Sequence, residues 1–345
     1  MGEPKRRPTS VDVARLAGVA QSTVSYVINN RTDGNVRVSD ETRQRVMKAV
    51  AELGYYPSAA GRNLRAQRTH TVALIMFNYT LENLIAEPFL SGVMSGLVEY
   101  LSEQEYYLLI LPVPKGHDRS IEPFLHSNRA DGVVISDPAL SADTMAMLKA
   151  VPIPVVFVDG QICDDPLDFP NVNGRGHVGS RLMTEYLLAK GHTRIAHIRG
   201  SLATPSGHSR QAGYLQVMQE RGLYNPDLVV EGDWFKAGGY KATEQLLNRP
   251  EPPSAIYAAN DQMAIGAIEA AHAWGLRVPE DIAIAGYDDI PVAADVAPPL
   301  TTVRFPFRQI GRQAGELVFN LATDTKFRPA SLPPVPVEIV ERASV

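Results

Sequence analysis

TSVDVARLAGVAQSTVSYVINN, residues 9–30, decides how the rest of the chain is read. Val13, Leu16 and Ala17 recur at the spacing of one helical face, and Val24, Val27 and Ile28 repeat it after the break at Gly18-Val19-Ala20. Thr9 is placed to cap the first segment, and Asp12 sets a carboxylate near its positive end. Gly18 suits a chain that turns sharply after a helix. A third helix follows: Ser39 caps it, Val46, Ala49, Val50 and Leu53 form its stripe, and Gly54 stops it. Two short helices joined by a tight turn is the layout of helix-turn-helix DNA readers, whose second helix enters the major groove. Gln21, Ser22, Ser25 and Tyr26 are left on the polar face of that second helix. The alternative is a three-helix packing unit that touches no nucleic acid.

Charge separates these readings. Residues 1–70 hold twelve Lys or Arg against six Asp or Glu, a head of +6 in a chain of net charge −5, which leaves −11 on residues 71–345. A basic module joined to an acidic soluble body fits phosphate binding by the head. An acidic body also discourages indiscriminate adhesion to DNA.

The remaining 275 or so residues suffice for one large or two moderate domains. Apolar runs of strand length, VALIMF (72–77), YLLIL (107–111), DGVVIS (131–136), PVVFV (154–158), RIAHIR (194–199), AIYA (255–258) and IAIAGY (282–287), read as buried parallel strands. Helical patterns near 89–103, 175–190, 208–222, 237–248, 260–274 and 307–322 alternate with them, the signature of doubly wound α/β sheets. Ligands collect at the carboxyl ends of such strands. Asp159, Asn260, Asp261, Asp288 and Asp289 follow strands directly, Thr204 and Ser206 lie in the loop after RIAHIRG, Arg210 starts the next helix, and Trp234 closes LVVEGD. Each Asp or Asn has an ordinary reading as a helix cap; four strand ends carrying such groups suggest a binding cleft.

Enzyme readings fare worse. Gly174, Gly176 and Gly179 spell GxGxxG, but no long buried strand precedes them and no acidic residue follows at the distance a ribose requires. They read instead as loosening a chain crossing. No Walker loop, GxSxG or HExxH is present, His192 and His197 straddle a turn, and no nucleophile–base pair is evident. The expectation is no enzyme, no catalytic residue, no cofactor and no metal. Cys163, the single cysteine, excludes an intrachain disulfide framework and reads as a reduced bystander. No apolar run approaches eighteen residues and no apolar signal segment follows the basic start, so the chain is expected to be soluble and cytoplasmic, with no membrane partner.

DVARLAGVAQSTVSYVIN, then VSDETRQRVMKAVAELGYYPSAAGRNLR, resembles the head and hinge of LacI/GalR-type transcriptional repressors. The resemblance runs on through GHTRIAHIRG, RQAGY, EGDW, AANDQMAIGAI, GYDDIP and PPLTTVR, in order and at matching spacing. It implies a small all-α helix-turn-helix head (1–56), a hinge (57–70), and an α/β body (71–345) of two doubly wound parallel-sheet subdomains of the periplasmic binding protein type. We place the N-subdomain at about 71–162 plus 304–325 and the C-subdomain at about 163–303 plus 326–345, with crossings near 160–173, 290–303 and 323–328.

The resemblance further implies a homodimer on a pseudo-palindromic double-stranded operator, released by a small effector, with a sugar as the default. A non-sugar metabolite acting as corepressor is the alternative, and a sugar-binding transport receptor the remote one. Gln21 and Ser22 then occupy base-reading positions, and Thr9, Thr23, Ser25, Tyr26, Asn29 and Ser58 complete the DNA-facing set. Leu64 is implied to wedge into a minor-groove step, the alternative being a plain linker. Tyr26 stands where the family usually has Arg, Ala20 where a cap is usual, and Gly61 where Ala is common. Asp159, Arg210, Asn260 and Asp288 fall in the implied effector cleft with Thr204 and Ser206, while Trp234 and Phe307 offer apolar faces. Phe77, Asn78, Tyr79 and Phe89 would line its N-terminal side, and Asp261 and Asp289 would cap helices or brace the subdomains. No apolar heptads follow residue 323, so a dimer is expected rather than a coiled-coil tetramer.

Overall fold

The structure is a computed structural model that describes residues 6, 8–28, 38–56, 68–77, 88–136, 140–160, 169–329 and 335–345. Contacts divide the chain into two compact units, Met1–Thr69 and His70–Val345.

The first unit holds three helices, α1 (Ser10–Ala17), α2 (Gln21–Ile28) and α3 (Asp40–Leu53). Thr9 caps α1 in a reciprocal box: its hydroxyl accepts from the Asp12 N–H at 3.4 Å, and Asp12 accepts from the Thr9 N–H at 2.8 Å. Those bonds from Thr9, more than the flanking Arg6 and Arg15, hold the Asp12 carboxyl below its ordinary pKa. Gly18 and Gly54 end α1 and α3 in the left-handed region, at φ +66° and +60°. Val13, Ala14, Ala17, Val24, Val27, Val46 and Ala49 form the core. Leu16, expected inside, is half exposed; Ala14 takes the inward place.

The second unit contains two sheets. The five-stranded sheet runs β2-β1-β3-β4-β5, all parallel, from β1 (Thr71–Phe77), β2 (Tyr107–Val113), β3 (Gly132–Ser136), β4 (Val155–Val158) and β5 (Asn171–Val172). The six-stranded sheet runs β11-β10-β9-β8-β6-β7, from β6 (Ile195–Arg199), β7 (Val229–Glu231), β8 (Ala255–Ala258), β9 (Ala283–Asp288), β10 (Thr301–Arg304) and β11 (Glu338–Val340). Only β11 is antiparallel. Around the sheets lie α4 (Pro88–Glu103), α5 (Glu122–Leu125), α6 (Ala142–Ala150), α7 (Gly176–Ala189), α8 (Pro205–Glu220), α9 (Lys236–Leu247), α10 (Asp261–Ala273) and α11 (Phe307–Thr323).

Several elements differ from the sequence reading. YLLIL lies in an edge strand, and Tyr107, Leu109 and Ile110 are exposed rather than buried, because nothing pairs beyond β2 among the described residues. β5 joins the first sheet, so the N-subdomain expected to end near 162 reaches Val172. β10 belongs to the second sheet, so the chain leaves that sheet after Arg304, in the short stretch Phe305–Phe307, and not across 290–303. α6, β7 and β10 went unread: two are strands of three or four residues, and the ADTMAMLKA helix lacks a sustained apolar face.

The second sheet buries a polar stack. His197 lies between Tyr214 and Tyr257, each ring centroid 4.8 Å away, and its Nδ1 is 2.9 Å from the Tyr257 carbonyl. Burial drives the His197 pKa down to about 4, against a smaller upward pull from that carbonyl. The unfolded chain therefore takes up a proton first, and stability present above pH 6.5 is lost as pH falls toward 4. The window is worth about 3 kcal/mol. Unfolding free energies measured from pH 7 to pH 4 should fall steeply in the wild type and flatten by about that amount in His197→Gln, which has no ring nitrogen to protonate.

Candidate functional site

A guanidinium sits where the second sheet's strands end. Arg210 lies on α8 and is 4% exposed. Its Nη1 donates to the Ala259 carbonyl at 2.5 Å, and its Nη2 is 3.0 Å from Asp288 Oδ1. Its carbon is 4.0 Å from the Tyr287 ring centroid and 5.6 Å from those of Trp234 and Phe305. Burial, the largest single effect, opposes the charge, but Asp288, Tyr287, Tyr257 and Asp159 together outweigh it and raise the Arg210 pKa. Burial also raises the Asp288 pKa to about 6, with Arg210 pulling it back.

The other groups converge from separate strand ends. Asp159 follows β4 and accepts from the Gly174 N–H at 2.5 Å. Asn260 follows β8; its Oδ1 caps α10 by accepting from the Met263 N–H at 2.9 Å, and its Nδ2 donates to the Trp234 carbonyl at 2.8 Å. Asp159, Trp234, Asp288 and Asp289 all adopt positive φ (+49°, +72°, +124° and +57°). Such backbone costs of order 1–3 kcal/mol per residue and gathers where geometry serves a site. The space bounded by Asp159, Asn173, Gly176, Pro205, Ser206, Ser209 and Arg210 is about 10 Å³, room for roughly one water. This is a closed cleft.

The sequence-predicted residues are distributed as follows. Asp159, Ser206 and Arg210 line the closed space, with Asn260, Asp288 and Trp234 around the guanidinium. Thr204 caps α8 by accepting from the Gly207 N–H at 3.3 Å and lies 3.2 Å from Ser206 Oγ. Phe307 meets the Phe89 ring edge-on at 5.5 Å and lies tilted against Phe305 at 5.0 Å, and it is Phe305 that faces Arg210. Phe77 is in the core of the first sheet, and Asn78 and Tyr79 lie outside the described residues. Asp289 binds Arg304 at 2.8 Å and Arg342 at 2.6 Å, a brace at the sheet edge.

Sequence reasoning missed Asn173, Ser209, Phe305, Tyr287 and Ser136. Ser136 ends the apolar run DGVVIS, and its buried hydroxyl has no hydrogen-bond partner among the described residues. A polar residue closing an apolar run was the available signal. Asn173 follows a two-residue strand too short to be seen. The GxGxxG glycines serve close packing: a Cβ on Gly174 would strike the Phe305 ring, and one on Gly179 would lie 2.5 Å from the Tyr287 hydroxyl.

In the head, Gln21 and Ser22 are exposed at the start of α2, and Ser25 and Tyr26 follow one turn on along the same face, opposite buried Val24 and Val27. Gln21 donates to Ser10 Oγ at 2.9 Å, and Thr23 is half-buried. Ala20 contributes no side-chain cap; its carbonyl takes the Val24 N–H at 3.3 Å. The Thr9 hydroxyl is engaged with Asp12. Asn29, Ser58, Gly61 and Leu64 lie outside the described residues.

Comparison with known proteins joins the two units. The model for bacterial regulatory proteins of the lacI family matches residues 10–58, and that for a periplasmic binding protein-like domain matches 184–345. The HTH-type transcriptional regulator CelR of Thermobifida fusca is 35% identical over 335 residues, covering 96% of each chain. The chain belongs to the LacI family. The ribose operon repressor of Escherichia coli K12 is 35% identical over 342 residues, covering 97% of this chain and 99% of its own. Among solved structures, a lac repressor dimer bound to operator and an anti-inducer superposes with TM-score 0.85 at 29% identity, covering 98% of this chain and 99% of that one. A CelR–cellobiose complex superposes at 0.74 with 33% identity, covering 98% and 100%. The regulator is thus a helix-turn-helix DNA-binding head followed by a sensor body of two parallel-sheet subdomains, and its relatives are regulators rather than enzymes. No described helix is long and apolar enough to cross a membrane.

Removing one partner of a buried ion pair strands the other, at a cost of about 3–5 kcal/mol. Arg210→Met and Asp288→Leu should each lower stability by that order, and the double variant by much less than their sum. Urea unfolding at pH 7 of all four chains checks this; additive losses would contradict a coupled pair.

Proposed function

We propose that the regulator is a homodimeric repressor of sugar-utilisation genes, acting in the cytoplasm and released from a pseudo-palindromic operator by a small uncharged sugar. The observation that carries the effector class is the charge of the cleft. Two carboxylates, Asp159 and Asp288, face one guanidinium that is already bonded to protein. A phosphorylated or otherwise anionic ligand would meet net negative charge in a site of low dielectric. Hydroxyls suit the same groups: carboxylates and Asn260 accept and donate in pairs, Arg210 donates, and Trp234 offers an apolar face. Relatives named for ribose and a neighbour holding cellobiose support this reading.

The space beside Arg210 holds about one water, so we infer that the two sheets part to admit a sugar ring. A ligand that favours one arrangement shifts the regulator toward it and, by reciprocity, operator binding changes effector affinity by the same factor. The dimer is supported by the β2 edge, where Tyr107 is 74% exposed beside Leu109 and Ile110, with Val98 exposed on α4. An apolar sheet edge invites pairing and is covered best by a second copy.

Selection from random duplex DNA at near-physiological salt, with and without D-ribose, cellobiose and their phosphates, tests the proposal. A palindromic site released by an uncharged sugar is expected. Release by a phosphate alone, or binding that requires a non-sugar metabolite, would replace the sugar inducer. Asp288→Ala should keep the selected site and lose release. Tyr lacks the forked donors that match guanine O6 and N7, so Tyr26→Arg should move one base of the selected half-site toward guanine; an unchanged site would refute that contact.

A further inference from the structure

Asp261 is a fully buried carboxylate with no task inside the cleft. It opens α10 one residue after Asn260, but capping there is already done by Asn260 through the Met263 N–H. The Asp261 oxygens turn to other segments instead. Oδ1 accepts from Thr302 Oγ1 at 2.5 Å, and Oδ2 accepts from the Ile290 N–H at 2.9 Å. Gly286 of β9 lies directly on the carboxylate, where any Cβ would collide with Oδ1. One side chain therefore holds α10, β9, the loop after Asp289 and β10.

The partners give this clamp its meaning. Thr302 is two residues before Arg304, where the chain leaves the second sheet for the first. The crossing peptide stays tied to the cleft, because the Phe305 N–H donates to the Asp288 carbonyl at 3.3 Å and the Phe305 ring faces Arg210. Asp288 is thus bonded directly to the crossing, whereas Asn260, the other cleft group, is linked to β10 through the buried carboxylate next to it in the chain. Burying an acid costs several kcal/mol unless its bonds are specific, and burial together with the neighbouring Asp288 raises the pKa of Asp261 well above the ordinary value. Helix capping alone would be served by an exposed Asp or Ser at no such cost.

We propose that Asp261 is the positioning residue that transmits cleft occupancy to the crossing peptide Arg304–Phe307. It does not touch effector; it makes β10, already laddered to β9, follow α10 when a ligand moves Asn260. This inference rests on the regulatory reading above.

The test uses the full chain, the duplex it selects, and D-ribose and cellobiose as probes. Operator affinity with and without sugar gives a coupling factor, and direct titration gives sugar affinity. Alanine removes both acceptor oxygens, so Asp261→Ala breaks both arms of the clamp, whereas an asparagine could still accept from the Ile290 N–H and donate to Thr302 Oγ1. We expect Asp261→Ala to bind duplex and sugar each within about threefold of wild type, while coupling falls from a typical 5–150-fold to about one. Thr302→Val should do the same, and Thr302→Ser, which keeps the hydroxyl, should restore it. A structural role alone would lower both affinities and the melting temperature together and leave Thr302→Val and Thr302→Ser alike; that result overturns the proposal. So does a responsive wild type with an equally responsive Asp261→Ala. A wild type whose duplex no sugar releases overturns the functional reading, and this inference with it.

Discussion

A buried guanidinium governs the body of this regulator. Arg210 must leave water to reach its place at the strand ends, which costs several kcal/mol unless every direction is answered. The fold answers most of them with the Ala259 carbonyl, the Asp288 carboxylate and three aromatic faces, and leaves Nε without a hydrogen-bond partner among the described residues. A desolvated cation over a ring gains about 2 kcal/mol, so Tyr287, at 4.0 Å, is part of the electrostatic arrangement as much as of the core. Those demands reach far: Gly179 is small because Tyr287 stands behind it, and Gly174 is small because Phe305 does.

The same demands shut the cleft. With Arg210 satisfied by protein groups, a ligand has to exchange one set of good bonds for another, and its net gain is the difference. That favours a ligand offering many hydroxyls over one offering a single charge. A half-exchanged network of buried polar groups is the costliest state. A sensor that must choose between two arrangements is served by such a network.

Chain connectivity spreads the choice through the body. β5 and β10 each end close to the cleft and lead into the other subdomain, through Asn173–Arg175 and Phe305–Phe307. α4 and α11 then pack backbone to backbone, with Gly96 against the Arg308 carbonyl and Gly311 against the Val93 carbonyl. Ion pairs from Glu99 to Arg308 and from Glu103 to Arg312 add little in such exposed positions; the close glycine contacts carry the packing. The aromatic cluster Phe89, Phe305 and Phe307 joins this helix pair to the crossing.

Local chemistry decided what the sequence alone could state. Thr9, Asp12, Gly18, Ser39 and Gly54 act within a few residues of themselves, so the head's three helices were legible from their caps and periodicity. Long apolar runs marked the central strands for the same reason. Asp159, Asn260 and Asp288 directly after those runs, and Arg210 on the helix that follows one, were legible as a group because sheet topology sends strand ends to one place. Tertiary structure decided the rest. Short strands such as β5 and β10 exist only because a neighbour pairs with them, so the crossings, Asn173 and Phe305 were hidden. Leu16 is exposed and β2 is an edge because burial depends on what lies opposite, which periodicity does not encode. Gly174 and Gly179 look like a phosphate loop in one dimension and act as clearances for Phe305 and Tyr287 in three, since a missing Cβ has meaning only beside the group that fills its space.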